Sequence, residues 1–301
     1  MKPSATRKNN FYPYLLLFIQ PIFMASNIIV ARGGVEYVPP VSLAFWRWLT
    51  VFVILMPFFF DEIIKKKRQF KNESFKLFFL GLMGCGICGA FPFIAGMSTT
   101  MANMGIIYTS SPIFIIVLSV LFFGDKINLS RIIGLILCLS GVLIIICKGD
   151  LTYLINFKFT SGDLWMLGAA FGWAVYSIFL INWKSSFSLM ARFTLIAFFG
   201  VISLFPFYLI EEWYFFNTAF NNNFIFWVLF AAISPGIIAF TLYTKVQKYV
   251  GASLAGFTLY IFSIYSAIYG IILFDEAILS FHYYGAALVF IGVYLARKIF
   301  K

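Results

Sequence analysis

The chain alternates between long apolar runs and short polar ones. After a polar and basic stretch from Met1 to Asn10, an apolar run covers residues 11–31. Nine more follow, at about 41–60, 75–97, 104–123, 129–147, 162–182, 190–210, 224–244, 252–274 and 280–297. About 20 mostly apolar residues carry a helix across the hydrocarbon core of a bilayer. In lipid each backbone N–H and C=O must find its partner inside the protein, so only helices or closed barrels span. The period-two alternation of a barrel strand is missing here. The pattern therefore predicts an all-α integral membrane protein with ten transmembrane helices. Residues 11–31 read as the first span and not as a signal peptide, since no small-residue cleavage site follows a short apolar region. The linkers 98–103 and 245–251 leave no room for a soluble domain.

Composition strengthens this picture. Hydrophobic residues make up 62% of the chain and charged ones 11%, against about 45–50% and about 25% in soluble domains. The net charge of +11 raises the question of nucleic acid, but the basic residues lie in short runs between apolar segments. That is how topology signals are placed, so nucleic-acid binding is excluded. With the N-terminus in the cytoplasm, 18 Lys and Arg fall on the inside and three (Arg32, Lys148, Lys158) on the outside. Both termini are therefore expected in the cytoplasm. Cys85, Cys88, Cys138 and Cys147 all lie in or at the end of apolar segments. They read as small packing residues; the Cys85-x-x-Cys88 spacing lacks the βαβ setting of a redox motif.

The two halves of the chain resemble each other. Gly134 and Gly141 in the fifth span match Gly285 and Gly292 in the tenth, at an offset of 151. The same offset places Asp125 on Glu276 and Gly105 on Gly256. Earlier in each half, Phe45-Trp46-Arg47 resembles Met190-Ala191-Arg192 at an offset of 145, the difference falling in the loop after the second span. A unit of five spans crosses the membrane an odd number of times, so two tandem copies, 1–148 and 159–301, run in opposite orientation. Inverted repeats are a device of secondary transporters, with the substrate near the midplane at the repeat interface.

These residues also carry a family resemblance. Val38-Pro39-Pro40-Val41-Ser42-Leu43-Ala44-Phe45-Trp46-Arg47-Trp48 resembles the first-repeat signature of the EamA branch of the drug/metabolite transporter superfamily. Gly124-Asp125-Lys126 followed by Gly134 and Gly141 resembles that family's Gly-Glu-Arg turn and closing helix, and Glu276, Gly285 and Gly292 repeat the match. The resemblance covers nearly the whole chain. It implies a ten-helix carrier of small organic molecules in the bacterial inner membrane. Two positions depart from it: Asp125 replaces a Glu, and Ser263 stands where the first repeat has Pro112, so the ninth span is expected to lack the break of the fourth.

No catalytic or metal-binding constellation is visible, and no cofactor is implied. The single histidine, His282, opens the last span and reads as interfacial. No acidic residue lies deep in a span, which favours facilitated diffusion, exchange or end-of-helix coupling over a buried proton carrier. Arg47 is the charge expected within the apolar region. An intramembrane charge is costly and usually paired. The inverted arrangement suggests two ion pairs, Arg47–Glu276 and Arg192–Asp125, latching the halves alternately, against snorkelling of each Arg to its own headgroup layer.

Polar and aromatic residues gather in spans 1, 3, 4, 6, 8 and 9, the helices that surround the central cavity in the resembled family. Gln20, Asn27, Tyr108, Thr109, Trp173, Tyr176, Tyr243, Tyr260 and Ser263 are the substrate-binding candidates. Trp46 and Trp48 are expected to anchor at the lipid interface. Gly81, Cys85 and Gly89 form a small-residue stripe suited to close helix approach. The expected activity is alternating-access transport, with export or exchange of amino acids or related metabolites. Uptake of a nucleobase-like metabolite or a small organic cation is the alternative, aromatic faces being suited to cations. The expected partners are the small-molecule substrate and membrane lipids, and the oligomeric state stays open. A membrane-embedded enzyme would need a deep catalytic group that the sequence does not supply.

Overall fold

The computed structural model describes residues 12–99, 104, 107–126, 129–147, 150, 152, 160–214, 218–274 and 280–297. Among these residues every regular element is a helix. Helix α1 (Tyr12–Ile29) runs on into a π-helical turn, Val30–Gly34. Next come α2 (Pro40–Lys65) and α3 (Lys67–Gly81), which passes through a π-helical segment, Leu82–Ile87, into α4 (Cys88–Gly96). The first half closes with α5 (Ser111–Phe123) and α6 (Leu129–Ile146). The second half holds α7 (Ser161–Asn182), α8 (Leu189–Tyr214) and α9 (Asn222–Ala232). A π-helical segment, Ile233–Ile238, leads from α9 into α10 (Ala239–Ala255), before α11 (Thr258–Phe274) and α12 (Ser280–Arg297). Among the described residues, six continuous helices are long and apolar enough to cross a membrane: 14–34, 40–65, 67–96, 161–182, 189–214 and 222–255. Shorter apolar helices lie at 111–123, 129–144 and 283–295.

Local chemistry explains the breaks. Pro40 opens α2 at a position where its missing N–H costs nothing. Gly124 ends α5 at φ 65°, a left-handed cap that glycine adopts without a Cβ penalty. Gly251 sits at φ 81° and ψ 167° and bends the chain within α10. The helix thus continues about six residues past the expected end of the eighth span before it turns. Pro112 lies in the first turn of α5, after the turn residues Thr109 and Ser110, whereas Ser263 lies inside the uninterrupted α11. Pro21 and Pro92 are carried inside α1 and α4, and Pro235 inside the third π segment.

Two antiparallel helix pairs frame the molecule. In the first, α6 packs on α12 through the glycines singled out in the sequence. A Cβ on Gly141 would lie 2.5 Å from the Gly285 carbonyl oxygen, and one on Gly292 would lie 2.6 Å from that of Gly134. Between them the Cys138 thiol faces the Val289 carbonyl at 3.5 Å. Cys138 and Val289 are 151 positions apart, so the contact is self-complementary about this point. The second pair is α2 and α8. At the end where α2 begins, the Glu211 carboxylate accepts from the N–H groups of Val41 (3.0 Å) and Ser42 (2.6 Å) and from the Ser42 hydroxyl (2.8 Å). At the opposite end, Glu62 accepts from the N–H (2.7 Å) and hydroxyl (2.5 Å) of Ser188, just before α8. Each helix thus places a carboxylate from its last turns on the start of the other, where unpaired N–H groups and the helix dipole favour an anion.

The small-residue stripe on α3–α4 does what its spacing suggests. A Cβ on Gly81 would meet the α8 backbone at Gly200 and Ile196, each at 2.7 Å, while Gly89 lies under the Trp48 indole. Trp48 is fully buried, stacked edge-on against Phe240 at 5.0 Å. The expectation that it anchors at the lipid interface is therefore corrected: close approach at Gly89 leaves a socket only an inward tryptophan fills. Trp46 is partly buried among Tyr208, Phe220 and Phe224. All four cysteines are free and buried.

Candidate functional site

The central cavity forms where α1, α2, α4, α7 and the α9–α10 π segment converge. Its polar wall is Asn27, Arg47 and Tyr108, and its apolar wall includes Met24, Met166 and Trp173. The enclosed volume is about 40 Å³. A second cavity of about 270 Å³ adjoins it through the shared walls Ile28, Ala31 and Met104. That outer chamber is bounded by Arg32, Glu36 and Thr99, at the face where α1 and α4 end and α2 begins. Towards the other face the small cavity is closed by rings: Trp173 packs 5.3 Å from Phe240 and 4.8 Å from Tyr243, and Tyr176 lies 5.8 Å from Phe240.

Arg47 is 2% exposed. One terminal nitrogen donates to Asn27 Oδ1 at 2.8 Å and the other to the Pro235 carbonyl at 2.9 Å. The guanidinium lies 4.7 Å over the Trp48 ring. Its Nε has no hydrogen-bond partner among the described residues. The Pro235 carbonyl is available because it lies in the π-helical segment, where the regular hydrogen-bond ladder is interrupted. That segment and Leu82–Ile87 are separated by 151 positions end for end, the offset that relates the glycine pairs. The first packs Gly84 beneath the Tyr176 ring; the second holds Arg47.

The sequence candidates divide into three groups. Asn27, Arg47, Tyr108 and Trp173 line the cavity. Gln20, Tyr176 and Tyr243 lie buried around its closed end. Gln20 donates to the Ala239 carbonyl at 3.4 Å, and the Tyr243 hydroxyl pairs with Ser177 at 2.8 Å. Thr109, Tyr260 and Ser263 are buried but do not line the cavity, Tyr260 packing on Phe257 at 5.7 Å and Ser263 bonding back to Leu259 at 3.4 Å. Among the described residues, several buried polar atoms at the closed end have no hydrogen-bond partner: Gln20 Oε1, the Tyr176 hydroxyl and Gln247 Oε1. An unmet buried polar group costs about 1–3 kcal/mol, so a cluster of them marks a place where water or a solute supplies the missing bonds.

Of the two expected ion pairs, Arg192–Asp125 alone falls among the described residues, and it is not formed. Glu276 lies outside the described residues. Arg192 donates to the Leu180 carbonyl at 2.8 Å, while Asp125 accepts from the Ser119 hydroxyl, so these two residues keep separate partners. Carboxylates that do join the two halves include Glu62 and Glu211, together with Glu73, which accepts from the Ser185 hydroxyl (2.6 Å) and the Ser186 N–H (2.8 Å). Sequence reading missed them because it weighed charge against charge, and their partners are backbone N–H groups and serines. The serine run Ser185-Ser186-Phe187-Ser188 ahead of an apolar helix was the available signal. It also missed the methionine wall, since Met at helical spacing reads as ordinary packing.

Helices long enough to span, a pocket lined from both halves of the chain and paired π segments define a polytopic membrane architecture. The EamA-like transporter family model matches residues 11–147 and again 160–297. The chain belongs to this family of membrane transporters. It is similar to an uncharacterized transporter of Archaeoglobus fulgidus, 26% identical over 291 residues and covering 95% of this chain and 97% of that one. The uncharacterized transporter YetK of Bacillus subtilis is 23% identical over 292 residues, covering 96% and 87%. A solved crystal structure matches with a TM-score of 0.73 at 18% identity, covering 95% of this chain and 96% of that one, a likeness of fold.

Proposed function

We propose that the chain is a secondary transporter of small organic metabolites, with export or exchange of amino acids or related compounds as its activity. In this reading ten helices cross the bacterial inner membrane as two inverted units of five, with both termini cytoplasmic. Repeat-equivalent π segments and the self-complementary α6–α12 contact support the inverted pairing. The observation that carries the function is the chamber at the junction of the two halves. It adjoins one face through the larger cavity and is sealed from the other by Trp173, Tyr176, Phe240 and Tyr243. A path open to one side only is what alternating access requires of each end state. Movement of α1, α7 and α10 around the framing pairs would exchange the open and sealed ends.

Purified protein in liposomes, preloaded with one solute at a time and diluted into labelled solute, tests this directly. Counterflow of at least one metabolite is expected, with and without a pH gradient. Absence of counterflow across amino acids, nucleobases and organic acids would sink the proposal.

A further inference from the structure

We infer that Arg47 is the anion-binding residue of the central chamber, and that the solute carries a carboxylate there. This rests on the carrier reading and names the chemical class that the carrier takes. A guanidinium has five N–H donors, and two of those of Arg47 are used, by Asn27 and the Pro235 carbonyl. Nε has no partner among the described residues although the side chain is 2% exposed. No carboxylate among the described residues lies within ion-pair distance of it, and none lines the inner chamber. Asn27, the Pro235 carbonyl and the Trp48 ring beneath the guanidinium are all neutral and hold the group in place without cancelling its charge. A buried cation left in this state is costly, whereas a carboxylate binds a guanidinium edge through two parallel hydrogen bonds.

The dimensions agree with this. The inner chamber, at about 40 Å³, has room for about three waters, the size of a carboxylate group and not of a whole metabolite. The adjoining chamber of about 270 Å³ takes the remainder. Met24, Met104 and Met166 give the inner chamber soft apolar walls, and Met104 is shared with the outer one, a surface suited to an aliphatic or aromatic body. An organic cation meets the same aromatic surfaces but also the unneutralised Arg47.

The test is binding to the full chain in nanodiscs, read by thermal shift and by tryptophan quenching, since Trp173 lines the chamber. The probes are 4-methylvalerate, 3-phenylpropionate and leucine, each beside its amide. At least one acid should bind about tenfold or more tightly than its amide, a difference set by the charge-assisted pair. Arg47→Gln should erase that difference and Arg47→Lys should keep part of it. If Arg47→Gln does not fold, the acid-to-amide ratio in the unmodified chain still decides. Equal binding of acid and amide, tighter binding of the cationic leucinamide, or no shift with any acid at millimolar concentration each overturns the assignment. Counterflow run in parallel separates the two readings. Acid binding without counterflow counts against transport alone, and counterflow without acid preference counts against Arg47 alone.

Discussion

At the scale of single residues, backbone conformation and charge placement make sharp demands. Gly251, at φ 81° and ψ 167°, occupies a region that residues with a Cβ avoid. Gly251→Ala should lower stability by about 1–3 kcal/mol, seen as a lower unfolding temperature, although nothing lies within 4 Å of the position. An unchanged temperature would show that the turn relaxes. Asn27 fixes one terminal nitrogen of Arg47 at 2.8 Å. Asn27→Leu removes that acceptor at nearly the same size, and transport should fall by about tenfold or more, as loss of about 1.5–3 kcal/mol implies for a bond to a charged group. Arg47 itself was legible in the sequence as a charge inside an apolar run. Its partners were not, because Asn27 and a proline carbonyl 188 positions apart from it meet it only through the fold.

At the scale of elements, the two framing pairs rest on different physics. The α2–α8 pair is tied at each end by a carboxylate on the other helix's N-terminus. Glu211→Gln and Glu62→Gln should each cost about 2 kcal/mol, the range for hydrogen bonds to a charged group. Thermal unfolding of the double variant should show near-additive losses, since the clamps lie at opposite ends. The α6–α12 pair rests on backbone proximity. Gly141→Leu would drive a side chain into the Gly285 carbonyl and Val289, and overpacking of this kind costs about 1–3 kcal/mol. The expected outcome is an unfolding temperature clearly below that of Gly141→Ala. Helix positions and the glycine pattern were readable, because apolar run length and small-residue spacing are local signals. The π-helical segments were not: their sequences, Leu82–Ile87 and Ile233–Ile238, share little but an absence of charge.

At the scale of the whole molecule, the proposed orientation, with both termini cytoplasmic, is testable through the chambers. The outer chamber carries exposed Glu36, whereas exposed Lys67 begins α3 at the opposite end. Native cysteines are all buried, so background labelling should be low. Glu36→Cys should react with a membrane-impermeant maleimide in intact cells, and Lys67→Cys only after the membrane is opened. The reverse pattern would invert the assigned topology. The class of molecule was evident from hydropathy and doubling. The site was evident only in part, since four of the candidates line the chamber while Tyr260 packs on the adjacent Phe257 and Ser263 bonds back within its own helix.

The contact centred on Cys138 and Val289 bears on how such a chain could arise. A position on a two-fold axis between identical, unfused units would place one residue against its own copy. Cysteine there would face cysteine and could cross-link the pair. In the fused chain the two positions are free to differ, and valine opposite cysteine leaves the thiol bonded to a carbonyl. Fusion thus turns a site constrained by self-encounter into two sites that can diverge separately.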